Sequence, residues 1–268
     1  MKRKHPDPPP RGFVGLYRHF DYQVSDKLSV QFFVCHLRPS NKVSLDLNIL
    51  FGSQVEELTK TVEYSEWQFV ESIMLKPKGK LGDYVKKYHI DGKNLEVNKK
   101  YTSHDIGSMT FKLASSTGTK VSVFIYSNGK IKISGGGVEF DKLEESVYNI
   151  WKVIYDLFVW DFEMFNDECP DYTEGPVICN ISSSYSVGEI KGNWPSKTYK
   201  IYSSGLFNRV VLPTFELEGR SAAIQCYVYP RRKASLIFDQ KGKVHLLGFK
   251  NKQELKYAQS LVNRCLSN

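Results

Sequence analysis

The sequence predicts an α+β fold made of two similar halves, each an antiparallel sheet that ends in an amphipathic helix, and three observations predict it. The first is the stretch "KVSVFIYSNGKIKISGG", residues 120–136. Successive side chains of a strand point to opposite faces, so Val121, Val123 and Ile125 fall on one side. Ile131 and Ile133 join them after the turn at Ser127, Asn128 and Gly129, while Ser122, Phe124, Tyr126, Lys130, Lys132 and Ser134 take the other side. The second observation is that "KASLIFDQKGKVHLLGFKNKQELKYAQSLVNRCL" repeats the order strand, Gly-Lys turn, strand, glycine, helix, with Gly242-Lys243 lying 113 residues after Gly129-Lys130. The third is a pair of apolar stripes at helical spacing. Leu143, Val147, Trp151, Ile154 and Phe158 follow Asp141, and Leu255, Ala258, Leu261, Val262 and Cys265 follow a capping box of Asn251 and Glu254.

The remaining elements are read in order. "KLSVQFFVCHL" and "KVSLDLNILF" are predicted strands separated by "RPSN", the second half-buried because Val43, Leu45, Leu47 and Ile49 alternate with polar residues. Ser53 with Glu56 forms a capping box, and "SQVEELTKTVEYSEWQFVESIML" keeps helical spacing for much of its length. The lysine- and turn-rich residues 76–103 read as an insertion. "DFEMFNDECPDYTEGP" reads as an acidic linker, since Pro170, Gly175 and Pro176 discourage regular structure. The start, "MKRKHPDPPPRG", reads as a disordered basic tail with polyproline character and lacks the apolar segment of a secretory signal. The expected organisation is a tail at 1–20, a first half at 21–160 with its insertion, a linker at 161–176 and a second half at 177–268.

Composition narrows the function classes. A net charge of +8, from 37 basic and 29 acidic residues, permits a polyanionic partner. The surplus is segregated: residues 181–268 hold 14 Lys and Arg against 5 Asp and Glu, and residues 141–180 hold 2 against 10, so a basic and an acidic surface are expected to coexist. Five widely spaced cysteines without a Cys-x-x-Cys pair argue against a disulfide framework and a structural zinc site, and for a reducing, intracellular compartment. No apolar run approaches the roughly 20 residues that span a bilayer. There is no P-loop, paired-carboxylate motif, metal-spaced His and Cys cluster or nucleophile motif, so no enzymatic activity, cofactor, metal or small-molecule substrate is expected.

On these residues the chain resembles the TATA-binding protein (TBP) family. "FIYSNGKIKISG" is similar to the family's hairpin without a gap, and "LIFDQKGKVHLLG" is similar with one extra turn residue. "VICNISSSYSV" resembles the strand that opens the family's second repeat, and "FELEGRSAAI" its Tyr-x-Pro-Glu-Leu-Phe-Pro-Gly-Leu-Ile segment. The likeness covers residues 104–160 and 177–268; residues 20–103 fit poorly. It implies a saddle, two direct repeats forming one curved antiparallel sheet with helices on the convex face. A divergent member, of the kind a large DNA virus could carry, would explain the decay and the insertion, and would act in the nucleus or in a viral replication compartment in the cytoplasm.

The resemblance further implies a general transcription initiation factor that binds and bends AT-rich promoter DNA through the minor groove and docks general transcription factors and RNA polymerase. Phe238 and Tyr126 would be wedges between base steps, Ile106 would stand where the first half's other phenylalanine belongs, and Asn180 would meet base edges, with Ser44 or Asn48 as its candidate counterpart. Phe124, Leu236, Lys130, Lys132, Ser134, Lys243 and His245 would line the same surface, and Lys112 would hold phosphate. Departures stand beside these matches: Arg220 replaces a wedge, Asp239 follows Phe238, Leu247 replaces a threonine, Ser182 a valine, and Cys226 sits where the family tends to carry an arginine. They motivate the alternative of a protein-interaction scaffold with weak or lost DNA binding. Each residue also has a plainer reading. Phe238 could be a core aromatic, Asn180 a turn or bulge residue, and the lysines charges that discourage edge pairing.

Overall fold

In a computed structural model of the protein, the described residues are 28–59, 67–92, 94–165, 169–187, 210–215, 221–228, 232–239 and 243–267. The expected tail and Arg220 lie outside them. The chain divides into two units, residues 31–179 and residues 180–268 together with 1–30.

The first of these units is built on β1 (Ser29–Leu37), β2 (Trp67–Pro77), β3 (Lys86–His89), β4 (Leu95–Val97), β5 (Ile106–Ser115), β6 (Lys120–Tyr126) and β7 (Ile131–Gly135). They run antiparallel in the order β4-β3-β2-β5-β6-β7-β1. Two helices, α1 (Leu47–Thr59) and α2 (Leu143–Phe165), complete it. Alternation sorts the strands cleanly: Phe33, Cys35, Leu37, Met109, Phe111, Leu113, Val121, Val123, Ile125, Ile131 and Ile133 are buried. The α2 stripe of Leu143, Val147, Trp151, Ile154 and Phe158 is buried as its spacing predicts, and the Phe158 ring stacks on Phe111 at 5.5 Å. Leu50 and Phe51 of α1 complete the core.

Two expected elements differ. The stretch predicted as a strand at 42–51 is irregular up to Asp46, and from Leu47 it is the start of α1, which Asp46 caps. Its Oδ1 accepts the Asn48 and Ile49 N–H groups at 2.9 and 3.2 Å, and its carbonyl accepts the Leu50 N–H at 3.1 Å. Leu47, Leu50, Phe51 and Gln54, all buried, then form a helical stripe that outweighs the period-two reading. Conversely, within the stretch read as helical onward from Ser53, Trp67–Pro77 is strand, in keeping with its Trp, Phe, Val and Ile content. The insertion at 76–103 supplies β3 and β4, the hairpin at the sheet's edge. Asp161–Phe165, read as the start of a linker, belong to α2.

Residues 169–172 of that linker are tied down. Ser40 donates its N–H to the Asp171 carbonyl at 2.8 Å and its hydroxyl to Asp171 Oδ2 at 2.5 Å. The Asn41 amide bonds the Cys169 carbonyl and the Asp171 N–H, both at 2.9 Å. The Tyr172 hydroxyl donates to the Gly129 carbonyl, and its ring meets Trp151 edge-on at 5.0 Å.

The unit of residues 180–268 carries β8 (Val177–Ser186), β9 (Val210–Phe215), β10 (Ser221–Val228), β11 (Arg232–Asp239), β12 (Lys243–Phe249) and α3 (Lys252–Ser267). The strand order is β8-β12-β11-β10-β9, again antiparallel. α3 packs on β12 through Leu255, Ala258 and Val262, all buried. Its start is capped as predicted: the Glu254 N–H donates to Asn251 Oδ1 at 2.8 Å, and the Glu254 carboxylate accepts the Lys250 N–H at 3.1 Å. The Leu261 and Cys265 side chains lie outside the description.

The ladders of the two units share one register. Phe111 pairs with Val123 and Val123 with Ile133; 113 residues on in each case, Ile224 pairs with Leu236 and Leu236 with Leu246. An irregularity falls at the same place in both, where Thr110 and Lys112 face β2 and where Ala223 and Gln225 face β9.

Candidate nucleic-acid interface

The open side of the 31–179 sheet gathers the residues that the alternation at 120–134 sets apart. Phe124 pairs across the hairpin with Lys132, and the Lys132 ammonium lies 5.0 Å from the Phe124 ring centre. Lys130 stands 5.9 Å from the centre of the Tyr126 ring. Ser122 pairs with Ser134. All six are half-buried, so rings and ammonium groups present part of their surface to solvent. A cation held over an aromatic face is stabilised by the ring's quadrupole and keeps its remaining N–H groups for an anion. The turn that permits the pairing needs Gly129: its φ is +74°, and a Cβ there would come within 2.4 Å of Val43 Cγ2.

β1 adds residues that the sequence reading did not single out. His36 pairs with Lys132 and Val34 with Ser134. Cys179 Sγ lies 3.6 Å from His36 Nδ1 and donates to the Val34 carbonyl at 3.4 Å. Burial, followed by the charges of Lys130, Arg38 and Lys132, holds the His36 imidazole below its ordinary range. Burial pushes the Cys179 thiol up despite the same three cations. Arg38, Lys130 and Lys132 thus converge on one spot, a local excess of positive charge. Period-two alternation in "FFVCHL" already sets Phe32, Val34 and His36 against the buried Phe33, Cys35 and Leu37, and was the available signal.

Other expected site residues sit differently. Lys112 has its charge met within the fold, its Nζ 2.5 Å from Glu71 Oε2, and Lys120 reaches Glu71 Oε1 at 3.4 Å. The Lys112 hydrogen bond is the main reason that the Glu71 carboxyl is held below its ordinary range. Glu71 has φ +70°, a left-handed conformation unusual for a residue with a Cβ, at the irregularity between β2 and β5. Ile106, expected as an exposed wedge, is buried at 8 % exposure, opposite Pro77 where the β2–β5 register shifts again.

In the 180–268 unit the register corrects the expected alignment. Leu236 is fully buried with Ala234, so it belongs to the core side and not to the open one. Phe238 is two positions further along β11, pairs with Val244, and matches Ile125 at the constant offset; Asp239 matches Tyr126. The extra turn residue of the expected alignment is not needed, because the Phe238 match had slid the strand by one. The open-side positions are Ser235 and Ile237, across from Leu247 and His245, with Lys243 exposed at the start of β12. Likewise Gln225 holds the register of Lys112, and Cys226 that of Leu113.

Asn180 is half-buried at the start of β8, and its Oδ1 is buried with no hydrogen-bond partner among the described residues. Ser44 precedes α1 and Asn48 lies in its first turn, so neither is its strand counterpart. The pairs His36 with Lys132 and Ser184 with His245 match β1 to β8 and set Phe32, 42 % exposed, at the position equivalent to Asn180.

Among the described residues no three His, Cys, Asp or Glu side chains are placed to hold a metal ion, and no helix is long and apolar enough to cross a membrane. No family model matches the chain, and no curated protein does. A solved structure, the Methanococcus jannaschii TBP, is similar over 90 % of this chain and 98 % of that one, at 13 % identity and a TM-score of 0.43. So slight a likeness carries no conclusion about this chain.

Proposed function

We propose that the protein is a TBP-like transcription initiation factor that binds and bends AT-rich double-stranded promoter DNA through the minor groove. The observation that carries the reading is the open side of β6 and β7, where two aromatic rings each lie beside a lysine ammonium and Arg38, which with Lys130 and Lys132 bears on His36, extends the positive patch. Ammonium groups neutralise phosphate, and rings enter between base steps that the bend has partly unstacked, as in the TATA-binding protein itself. The resemblance of the two hairpins to that family and their common register support a duplicated unit, which a saddle with two such surfaces would require. Asn180, with an unmet amide oxygen, would turn its NH2 toward the acceptors that A·T pairs show in the minor groove. Its protein partners would be general transcription factors and RNA polymerase, in the nucleus or a viral replication compartment, and it would have no catalytic role.

The test is a gel-shift titration against AT-rich and GC-rich duplexes at several salt concentrations, with energy transfer between labelled DNA ends. Tighter binding to the AT-rich duplex, weakening with salt and accompanied by end-to-end approach, is expected. No binding at low salt removes the proposal.

A second reading, a scaffold of the same fold with weak DNA binding, is favoured by the Lys112–Glu71 ion pair and by Asp239 in the register of Tyr126. It predicts no AT preference in the same titration.

A further inference from the structure

The hairpin of residues 76–103 takes no part in the surface just described, yet its outer strand is chemically unfinished. β4 is the last strand of its unit. Asn98 donates its N–H to the Val85 carbonyl at 3.0 Å, and the Asn94 carbonyl accepts the His89 N–H at 3.1 Å. Residues 94, 96 and 98 therefore turn their backbone groups toward β3, and by the alternation of an antiparallel ladder Leu95 and Val97 turn theirs outward. Two N–H and two C=O groups face away from the sheet, with no strand beyond them among the described residues. The side chains of these same two residues are apolar and 55 % and 54 % exposed.

Edges that must remain single are usually blunted by a charged residue or a proline at the outward positions. Here the charged residue, Glu96, occupies the inward-bonded position and is held by His89 Nε2 at 2.8 Å. Of the other carboxylates, Asp83 is engaged by the Tyr101 hydroxyl and Asp105, just past the stretch, by the Thr102 N–H and hydroxyl at 2.7 and 3.0 Å, while Asp91 is exposed in the turn between β3 and β4. Lys86, Lys87, Lys99 and Lys100 flank the edge and take part in no ion pair among the described residues. The edge is thus apolar at its outward positions and cationic around them. A second copy of this chain would set the four lysines against themselves.

We propose that β4 is a docking edge for an acidic, extended segment of a partner protein, which adds as a further strand on the backbone groups of Leu95 and Val97. The segment's alternate apolar side chains pack beside Leu95 and Val97, and its carboxylates meet the flanking lysines.

The experiment titrates the full chain into a fluorescein-labelled dodecapeptide that alternates glutamate with valine, followed by anisotropy. Val97→Pro removes an outward donor without touching the β3 ladder and is expected to weaken binding about tenfold, the effect of one lost hydrogen bond with its partner left unmet. The same peptide with alternate amides N-methylated tests the idea on the unaltered protein, and should lose affinity to a similar extent. Amide exchange at Leu95 and Val97 should slow on binding. Equal affinity for Val97→Pro and for the methylated peptide, or for a proline-interrupted peptide of equal charge, would overturn the proposal. So would a sedimentation boundary in which the chain pairs with itself and Val97→Pro abolishes the pairing.

Discussion

Position for position, 113 residues apart, the hairpins β6–β7 and β11–β12 set Ser122 against Ser235, Phe124 against Ile237, Tyr126 against Asp239, Lys130 against Lys243, Lys132 against His245 and Ser134 against Leu247. On the alternate positions they set Val121 against Ala234, Val123 against Leu236, Ile125 against Phe238, Ile131 against Val244 and Ile133 against Leu246. The second set is apolar throughout, and its members other than Phe238, whose side chain lies outside the described ones, are buried, where little else is admitted. The first set differs in chemistry at four of six places. One unit pairs rings with lysines; at the four differing positions the other has two aliphatic residues, a histidine and an aspartate. Folding constrains the core side of a ladder, and whatever the open side touches is left to decide the rest. Here that divergence assigns the ring-and-lysine surface to residues 31–179.

The largest test of this contrast concerns the shared core. Phe111→Ala, which removes the ring stacked on Phe158, should lower unfolding free energy by about 3–5 kcal/mol, read from denaturant titration. A loss below about 1 kcal/mol would show that the ladder is not held by this packing. Next comes the open side. Replacing Phe124 and Tyr126 together by Ala should weaken AT-rich duplex binding by roughly tenfold or more and reduce bending, while Ile237→Ala should change affinity by less than about threefold. Equal losses would erase the distinction between the units.

A smaller effect is expected at Glu71. Glu71→Gln releases Lys112 and Lys120, so the slope of log affinity against log salt should steepen by about one. An unchanged slope would mean that DNA does not reach β5. Smallest is the pH dependence of His36. Its protonation is disfavoured in the free protein by burial and by Lys130, Arg38 and Lys132, and a bound polyanion would favour the imidazolium. Binding then takes up a proton, so affinity should climb as pH falls through and below the ordinary histidine value of 6.5, and the climb should flatten in His36→Gln. Calorimetry in buffers of different ionisation enthalpy measures the uptake directly, and none would place His36 outside the contact.

Much of this architecture was legible in sequence where two local signals agreed. Residues 120–134 combine strict alternation with an Asn-Gly turn, and Leu143 to Phe158 combine spacing with uninterrupted apolar volume. Residues 42–51 misled because Leu45, Leu47 and Ile49 alternate while Leu47, Leu50 and Phe51 also satisfy a helix. The choice rests on a single carboxylate, Asp46, that meets the first free N–H groups. In β11 the aromatic Phe238 drew the alignment one position away, and only pairing with β12 fixes which residues share a side. The cluster of His36, Arg38, Lys130, Lys132 and Cys179 could not be read locally, since it joins strands separated by some 140 residues of chain.

The hydrogen bonds of Ser40 and Asn41 to Cys169 and Asp171, with the Tyr172 hydroxyl on Gly129, bear on how the native chain meets a protease. Acidic, proline-bearing connectors are customary sites of nicking, but a peptide bond must extend by several residues into a protease cleft before it is cut. Residues 169–172 are laced to two other loops and can do so only if the lacing opens. Under brief digestion this acidic stretch should outlast its composition, and Ser40→Ala with Asn41→Ala should make it the first place to be cleaved.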